Sequence, residues 1–212
     1  MTDGLTTASL RWAIDRFSEK MRLCAGELNA LDGALGDGDL GVNMLRASER
    51  LTAEAANLPG DVGMALLKCA QAFTSVSAST YGTLLATGLM AAARMTRGRQ
   101  VVPWTEMASL LAAAVKSMAD RGKGSLGDKT VLDAVEAARR ATEGLTDPER
   151  LVAASVAAIG GAMDQIRDQE FRQGRARMFG AKGIGLDDPG MVAFRRIVEG
   201  LLPPPPKEGQ CP

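Results

Sequence analysis

Residues 81–95 read YGTLLATGLMAAARM, and this apolar segment indicates the fold class of the chain. Its leucine, alanine and methionine residues favour helix, so we predict a central, largely buried helix near residues 81–97. Aromatic residues make up only 4% of the sequence, and it lacks the alternating valine, isoleucine and threonine runs that are typical of β-strands. The segment and the composition together predict an all-α protein.

Apolar residues recur at helical spacing on both sides of this segment. Three helices are predicted before it, near residues 5–25, 41–57 and 60–77. Four helices are predicted after it. The fifth helix runs from Pro103 to about Asp120, and the sixth follows Gly127 with Asp128 as its N-cap. The seventh and the eighth begin at the pairs Asp147-Pro148 and Asp188-Pro189. Proline is favoured in the first turn of a helix, and aspartate caps its free N–H groups. Eight helices with mostly short connections predict an antiparallel up-and-down bundle.

The length of 212 residues fits one ordinary domain. We assign residues 1–202 to a single helical domain. Residues 203–212 read PPPPKEGQCP, and proline cannot continue a helix because it lacks the N–H and clashes with the preceding turn. These last residues are predicted to form a mobile tail.

The composition disfavours several classes of protein. Lysine plus arginine number 25, as do aspartate plus glutamate, so a nucleic-acid partner, which usually requires a basic surface, is not expected. The sequence has no run of 18 or more apolar residues, so no membrane span is predicted. Cys24, Cys69 and Cys211 are too few and too scattered for a disulfide framework or a zinc site. Because residues 1–12 also lack a secretory pattern, we expect a cytoplasmic location.

The absence of histidine narrows the possible chemistry further. It excludes Ser-His-Asp and Cys-His catalysis and any phosphohistidine relay on this chain. A general base would have to be a carboxylate or a lysine, and a metal ion would have to be bound by oxygen.

Three predicted connections are rich in glycine and charged residues: 32–41 (DGALGDGDLG), 121–130 (RGKGSLGDKT) and 174–190 (GRARMFGAKGIGLDDPG). In an up-and-down bundle, the connections after helices 1, 5 and 7 lie at the same end. The connection at 77–82 (SASTYG), which follows helix 3, lies there too. The sequence therefore predicts a functional site in the loops at one end of the bundle.

The first of these connections contains Asp32, Asp37 and Asp39. Glycine lets the backbone fold tightly enough for carboxylates to converge, and converging carboxylates repel one another unless a cation lies between them. A hard divalent ion is one interpretation, and a solvated turn is the other. An EF-hand does not fit, since its sixth and twelfth positions, counted from Asp37, are Val42 and Ser48.

Two phosphate-binding motifs occur only in a broken form. Residues 36–41 match a dinucleotide fingerprint, but no predicted strand precedes them, and residues 122–130 miss a P-loop by one inserted aspartate. The general physics remains, because glycine-rich loops that open onto helix N-termini present N–H groups to anions. Arg175 in the third connection suits phosphate recognition, and a surface charge run is the alternative.

Three motifs, in this order, resemble the L subunit of the dihydroxyacetone kinase family. They are Asp32-(x)4-Asp37-Gly38-Asp39-x-Gly41-x-Asn43-Met44, then GDKTVLDA at residues 127–134, then Gly174-Arg175-Ala176 followed by Asp188-Pro189-Gly190. The resemblance covers nearly the whole chain. It implies a closed barrel of eight antiparallel amphipathic helices that binds an adenine nucleotide, ADP or ATP, and two Mg²⁺ ions at one end.

The resemblance also implies site residues by position. Asp32, Asp37 and Asp39 would hold the magnesium ions. The residues implied along or around the nucleotide are Leu40, Gly41, Val42, Asn43, Gly122, Val131, Arg175, Asp188, Pro189 and Gly190.

Two positions depart from the family pattern. Leu40 stands where the family usually has histidine, a position that contributes largely through its backbone. Tyr81 stands where a phosphate-binding serine is expected, within Ser79-Thr80-Tyr81-Gly82-Thr83-Leu84. With a one-residue slip, Ser79 or Thr80 would contact the phosphate instead. In either case the phosphate pocket is expected to be reshaped.

The function that the resemblance implies is phosphotransfer to a small hydroxyketone held on a separate K subunit. Magnesium and Arg175, the expected catalytic residue, would offset charge on the transferred phosphoryl group. A kinase subunit for another short ketose such as erythrulose, and a non-catalytic nucleotide sensor, are the alternatives. The nucleotide would be exchanged as ATP or recharged by a phosphotransferase-system protein, and self-association is possible.

Overall fold

The computed structural model describes residues 4–76 and 79–203. Over these two stretches the chain forms eight α-helices: α1 Thr7–Leu35, α2 Leu40–Ala55, α3 Val62–Val76, α4 Thr80–Thr96, α5 Met107–Gly122, α6 Val131–Thr142, α7 Pro148–Ile166 and α8 Pro189–Gly200. Two short strands, β1 Gly4–Leu5 and β2 Val102–Pro103, pair antiparallel. Two 3-10 helices span Trp104–Glu106 and Ala176–Gly183. The all-α prediction is confirmed. The predicted tail begins at Pro203, and its remaining residues, 204–212, lie outside the described residues.

The first helix ends ten residues later than predicted. It continues to Leu35, so Asp32 lies in its last turn and not in a loop. The prediction was wrong because glycine at 26 and 33 resembles a helix break. Both glycines are on the exposed side of α1, while Leu28 and Leu35 on the other side are buried and continue the apolar stripe.

The predicted starts of the fifth and sixth helices are also corrected. Pro103 lies in β2, opposite Gly4, and α5 begins at Met107 after a turn of 3-10 helix. The N-cap of α6 is Thr130 and not Asp128, since the Thr130 side chain accepts a hydrogen bond from the Leu132 N–H. Asp128 instead accepts from the Ser125 N–H at 2.7 Å within the preceding connection.

The Asp-Pro pairs mark helix starts as predicted. Asp147 caps α7 by accepting from the Arg150 N–H, and Asp188 caps α8 by accepting from the Met191 N–H. In both helices proline occupies the first turn. These starts were predictable because a cap is a local interaction that the sequence alone specifies.

Each helix packs against its neighbours in the chain, and α8 packs back against α1. The helix contacts therefore form a closed circuit around a core of three clusters of buried apolar side chains. Its most deeply buried large side chains include Met21, Leu28, Met44, Ile159 and Met191. The predicted central helix α4 lies between α3 and α5, and the buried positions of its apolar face are small: Gly82, Ala86, Gly88, Ala91 and Ala93.

None of the helices in the described part of the chain has the length and apolar character needed to cross a membrane.

Candidate functional site

A cavity of about 490 Å³ opens at the end of the bundle where the odd-numbered helices finish. Its lining comes from the connections α1–α2, α3–α4, α5–α6 and α7–α8, which were predicted to share one end of the bundle, and from the helix turns next to them. The structure brings together twelve of the residues expected there: Asp32, Asp37, Asp39, Leu40, Thr80, Tyr81, Gly122, Val131, Arg175, Asp188, Pro189 and Gly190. A second cavity, of about 390 Å³, lies between α7 and α8 beside Arg195 and includes none of these residues.

Four helix N-termini face this cavity. Since the chain alternates direction, α2, α4, α6 and α8 all begin at this end. Their N-cap residues all line the cavity: Asp39, Ser79, Thr130 and Asp188. The N-terminus of a helix carries a partial positive charge and unpaired N–H groups, so this arrangement favours an anion.

Three carboxylates converge at one side of the mouth. One carboxylate oxygen from each of Asp32, Asp37 and Asp39 lies within 4.8 Å of those of the other two. The turn that brings them together includes Gly38, whose φ of 76° suits glycine. One oxygen of Asp32 accepts hydrogen bonds from the Asp39 N–H at 3.0 Å and from the Leu40 N–H at 3.3 Å. These two bonds fix the end of α1 against the start of α2.

The Asp39 side chain is not used to cap its own helix. Asp147 and Asp188 each bond to an N–H in the first turn that they precede, whereas Asp39, at the equivalent position of α2, makes no such bond. Its carboxylate is instead exposed beside Asp32 and Asp37. A carboxylate that is directed away from its own helix and toward two others is suited to a cation.

Arg175 supplies the cation that contacts this cluster. Its guanidinium forms an ion pair with Asp37, and this bond holds the pKa of the Asp37 carboxyl below its usual value. Asp32 and Asp39 also lie close enough to help raise the pKa of Arg175. One arginine faces three carboxylates, so the cluster keeps a negative balance that a divalent ion would offset.

The residues expected along the start of α2 are only partly brought to the cavity. Leu40 lines it, but Gly41, Val42 and Asn43 do not. Gly41 is buried against α1, where a side-chain carbon would overlap the Ala25 carbonyl oxygen. The Val42 N–H donates to the Asn29 side chain at 3.1 Å. Contacts between these three residues and a ligand stay predictions.

Part of the cavity wall is apolar, and the sequence did not identify most of it. It is formed by Leu84, Met118, Ala119, Gly122, Val131 and Leu132. Only Gly122 and Val131 of these were predicted. The others resemble ordinary core residues in the sequence, since Met118 and Leu132 continue the apolar stripes of α5 and α6. The wall is a suitable surface for a flat apolar ring.

Tyr81 and Asp188 lie at the boundary between the cavity and the core. The Tyr81 hydroxyl is buried and has no hydrogen-bond partner among the described residues, and burial raises the pKa of this phenol. Burial also raises the pKa of the Asp188 carboxyl, to about 7. The Tyr81 ring lies so close to Gly190 that a side-chain carbon there would stand 3.2 Å from it.

The alternatives for the phosphate-binding hydroxyl are arranged differently. The Ser79 oxygen accepts from the Gly82 N–H at 3.0 Å and so caps α4. Thr80 is exposed and lines the cavity. The Tyr81 side chain packs partly buried against the core. Of these residues, Thr80 presents the more accessible hydroxyl.

Comparison with known proteins gives one family and several relatives. The DAK2 domain matches residues 34–203. The chain is 32% identical to the ADP-binding subunit DhaL of the PEP-dependent dihydroxyacetone kinase of Escherichia coli (strain K12), over 82% of this chain and 85% of that one. It is 27% identical to triokinase/FMN cyclase of Rattus norvegicus over 94% of this chain, but it spans only 35% of that protein.

A solved structure has the same fold. The crystal structure of the dihydroxyacetone kinase from C. freundii in complex with AMP-PNP and Mg²⁺ superposes with a TM-score of 0.71 and 20% identity. The match covers 95% of this chain and 34% of that chain. The chain thus corresponds in length to most of the bacterial subunit and to about a third of the larger proteins.

Proposed function

The chain belongs to the DAK2 domain family, and we propose that it is the adenine-nucleotide-binding subunit of a kinase for a small hydroxyketone such as dihydroxyacetone. The observation that carries this proposal is the cluster of Asp32, Asp37 and Asp39 at the mouth of a cavity with one apolar wall and four helix N-termini. Residues 1–202 would form the nucleotide-binding domain. The E. coli relative, an ADP-binding subunit of about this length, supports the assignment.

The metal is proposed to be magnesium, as two ions. The cluster offers carboxylate oxygens, with no sulfur or imidazole, which suits a hard cation. When bound, Mg²⁺ would offset the charge of the nucleotide phosphates and of the phosphoryl group in transfer. Asp39, whose side chain is exposed and makes no capping bond, is the carboxylate most free to turn toward it.

The nucleotide is proposed to lie across the cavity. Its base would pack on the apolar wall formed by residues such as Met118 and Leu132, and its phosphates would face the helix N-termini near Leu40 and Thr80. Gly41, Val42 and Asn43 would follow the nucleotide from the first turn of α2. The turn at Asp188, Pro189 and Gly190 would close the far side, with Tyr81 behind it.

Arg175 is proposed as the catalytic residue. In this structure its guanidinium pairs with Asp37 at the cavity mouth. A magnesium ion on the aspartates would release the guanidinium toward the phosphates, where a positive charge stabilises the transferred phosphoryl group. The resemblance implies that a histidine of a partner K subunit holds the hydroxyketone. Since this sequence has no histidine, this chain would supply only the nucleotide half of the active site.

The nucleotide site is tested by thermal unfolding with MgADP. A ligand that binds only the folded state stabilises it by about 2.7 kcal/mol at a hundredfold excess over its Kd. We expect MgADP to raise the Tm of the parent and of the control Asp15→Asn, an exposed aspartate earlier on α1. It should not raise the Tm of Asp37→Asn. If Asp37→Asn responds like the parent, the carboxylates are a solvated turn.

A turnover assay separates the kinase from a nucleotide sensor, the second candidate. The purified chain with MgATP should phosphorylate neither dihydroxyacetone nor erythrulose. Addition of a purified K subunit should start turnover, and the faster of the two sugars identifies the substrate. A sensor would bind nucleotide and partner without turnover. A second assay with the phosphotransferase-system proteins in place of ATP distinguishes a recharged nucleotide from an exchanged one.

A further inference from the structure

Lys129 is the largest side chain in the described residues to be fully buried, with 1% of its surface exposed. Its ammonium donates to three main-chain carbonyl oxygens: those of Arg167 at 2.6 Å, Gln169 at 2.8 Å and Gly183 at 3.2 Å. It also lies 4.1 Å from the centre of the Phe171 ring. The proposed nucleotide site uses none of these contacts.

The three carbonyls belong to the connection between α7 and α8. Arg167 is the first residue of this connection and Gly183 ends its 3-10 helix, while Arg175 lies midway between them. A single ammonium therefore ties both ends of the segment that carries Arg175. Two main-chain bonds reinforce the tie: Gly185 N–H to the Arg167 carbonyl at 3.0 Å, and Arg172 N–H to the Asp128 carbonyl at 3.2 Å.

This position is costly for a lysine, and the cost indicates a specific role. Burial disfavours the charge and lowers the pKa of the Lys129 ammonium, against the opposing effect of Asp187, Asp188 and Asp168. Its backbone also has a left-handed φ of 61°, which a lysine rarely adopts. A methionine would fill a similar volume without the charge, but it could not donate to three carbonyls, which would then lose their bonds to the ammonium.

We infer that Lys129 is a positioning residue that fastens both ends of the 167–183 segment to the start of α6 and so holds Arg175 opposite Asp37. Its consequence for nucleotide binding rests on the proposed function. The tie itself does not, since every contact in it is made within the chain and without a ligand.

The tie is tested by hydrogen–deuterium exchange of the chain without nucleotide. In Lys129→Met, the Arg172 and Gly185 amides should exchange about tenfold faster or more than in the parent, because their bonds depend on the fastened segment. The amides of α3 should be unchanged. Lys68→Met, an exposed lysine on α3, should match the parent throughout. Parent-like exchange at Arg172 and Gly185 in Lys129→Met would overturn the inference.

A second variant covers the case in which Lys129→Met does not fold. Phe171→Leu removes the aromatic face beside the ammonium and changes neither Lys129 nor the three residues whose carbonyls accept from it. It should speed exchange of the same two amides by a smaller factor, about twofold to fivefold, while α3 stays protected. Unchanged exchange in a folded Phe171→Leu together with an unfolded Lys129→Met would mean that Lys129 supports the whole domain and not this segment.

A double-mutant cycle on the Kd of MgADP tests whether Lys129 acts through Arg175. Lys129→Met and Arg175→Ala should each weaken binding, and the double variant should bind no more weakly than Arg175→Ala alone. Additive losses would show that Lys129 does not act through Arg175, a result that a general structural role would also give. If the parent does not bind MgADP, the proposed function fails, and the exchange experiment alone decides the role of Lys129.

Discussion

The connections α1–α2 and α5–α6 both contain glycine and aspartate, and the carboxylates in and beside them have opposite uses. In α5–α6, Asp128 accepts from the Ser125 N–H at 2.7 Å. Asp133, in the first turn of α6, accepts from the Thr130 N–H at 2.9 Å and from the Gly127 N–H. In α1–α2, the exposed carboxylates of Asp37 and Asp39 face Asp32. The carboxylates of Asp128 and Asp133, which backbone N–H groups satisfy, are part of the scaffold. Those of Asp37 and Asp39 are available to a ligand, and Asp32 belongs to both groups, since it also accepts from two N–H groups.

The largest expected effect comes from the same substitution in both connections. Asp39→Asn removes one of the three converging charges, so we expect the affinity for MgADP to fall by more than about a hundredfold. Asp128→Asn should bind MgADP like the parent, since an amide oxygen still accepts the Ser125 N–H. Calorimetric titration measures both Kd values, and circular dichroism confirms that both variants are helical. Equal losses in the two variants would break the comparison.

For stability we expect the opposite order, with the larger loss at the start of α6 and the smaller loss in α1–α2. Asp133→Ala removes a charged acceptor from two backbone N–H groups at the start of α6, so it should cost about 2–3 kcal/mol of the free energy of unfolding. Asp39→Ala should cost less than about 0.5 kcal/mol, because its side chain makes no capping bond. Urea unfolding measures both. A larger cost for Asp39→Ala would show that the first connection is also scaffold.

These local differences also show what the sequence could reveal. The caps Asp147 and Asp188, and the three converging aspartates, were predictable because each depends on residues a few positions apart. The end of α1 at Leu35 was not, because it depends on which side of the helix is covered by the rest of the bundle. The roles of Met118 and Lys129 were not predictable from the sequence either. Their partners lie far along the chain, and only the folded bundle shows whether an apolar residue lines a cavity or a lysine is buried.

Arg175→Ala tests whether the aspartates of α1–α2 need a positively charged side chain as well as a metal ion to bind nucleotide. Its guanidinium pairs with Asp37 here and is expected to contact phosphate when nucleotide binds, so its loss should weaken MgADP binding by roughly tenfold. That is a smaller loss than for Asp39→Asn. Titration of Arg175→Lys, which keeps the charge but loses the paired N–H groups, should give an intermediate Kd. A loss as large as that of Asp39→Asn would make Arg175, and not a metal, the main anchor.

The last expected effect is a pH dependence at Asp188, whose carboxyl caps α8 at the edge of the cavity. Its pKa is raised from 3.8 to about 7, so between these values the folded state binds more protons than the unfolded state. Its contribution to stability therefore falls as the pH rises from about 4 to about 7. Asp188→Asn, which retains a capping oxygen, should lose this decline. For each kcal/mol of stability that the parent loses across that range, its Tm should fall by about 2–4 °C relative to the Tm of Asp188→Asn. If the Tm of the two proteins changes with pH in parallel, this pH dependence does not come from Asp188.

The measurement that tests the central claim most directly is calorimetric titration of the parent chain with ADP in excess Mg²⁺ and again in excess EDTA. If Asp32, Asp37 and Asp39 form a metal site for nucleotide, ADP binds with measurable heat in Mg²⁺ and does not bind in EDTA, since the carboxylates then repel the phosphates. Equal binding in both solutions would contradict the account, because the nucleotide would be held without the metal that the three carboxylates are proposed to bind.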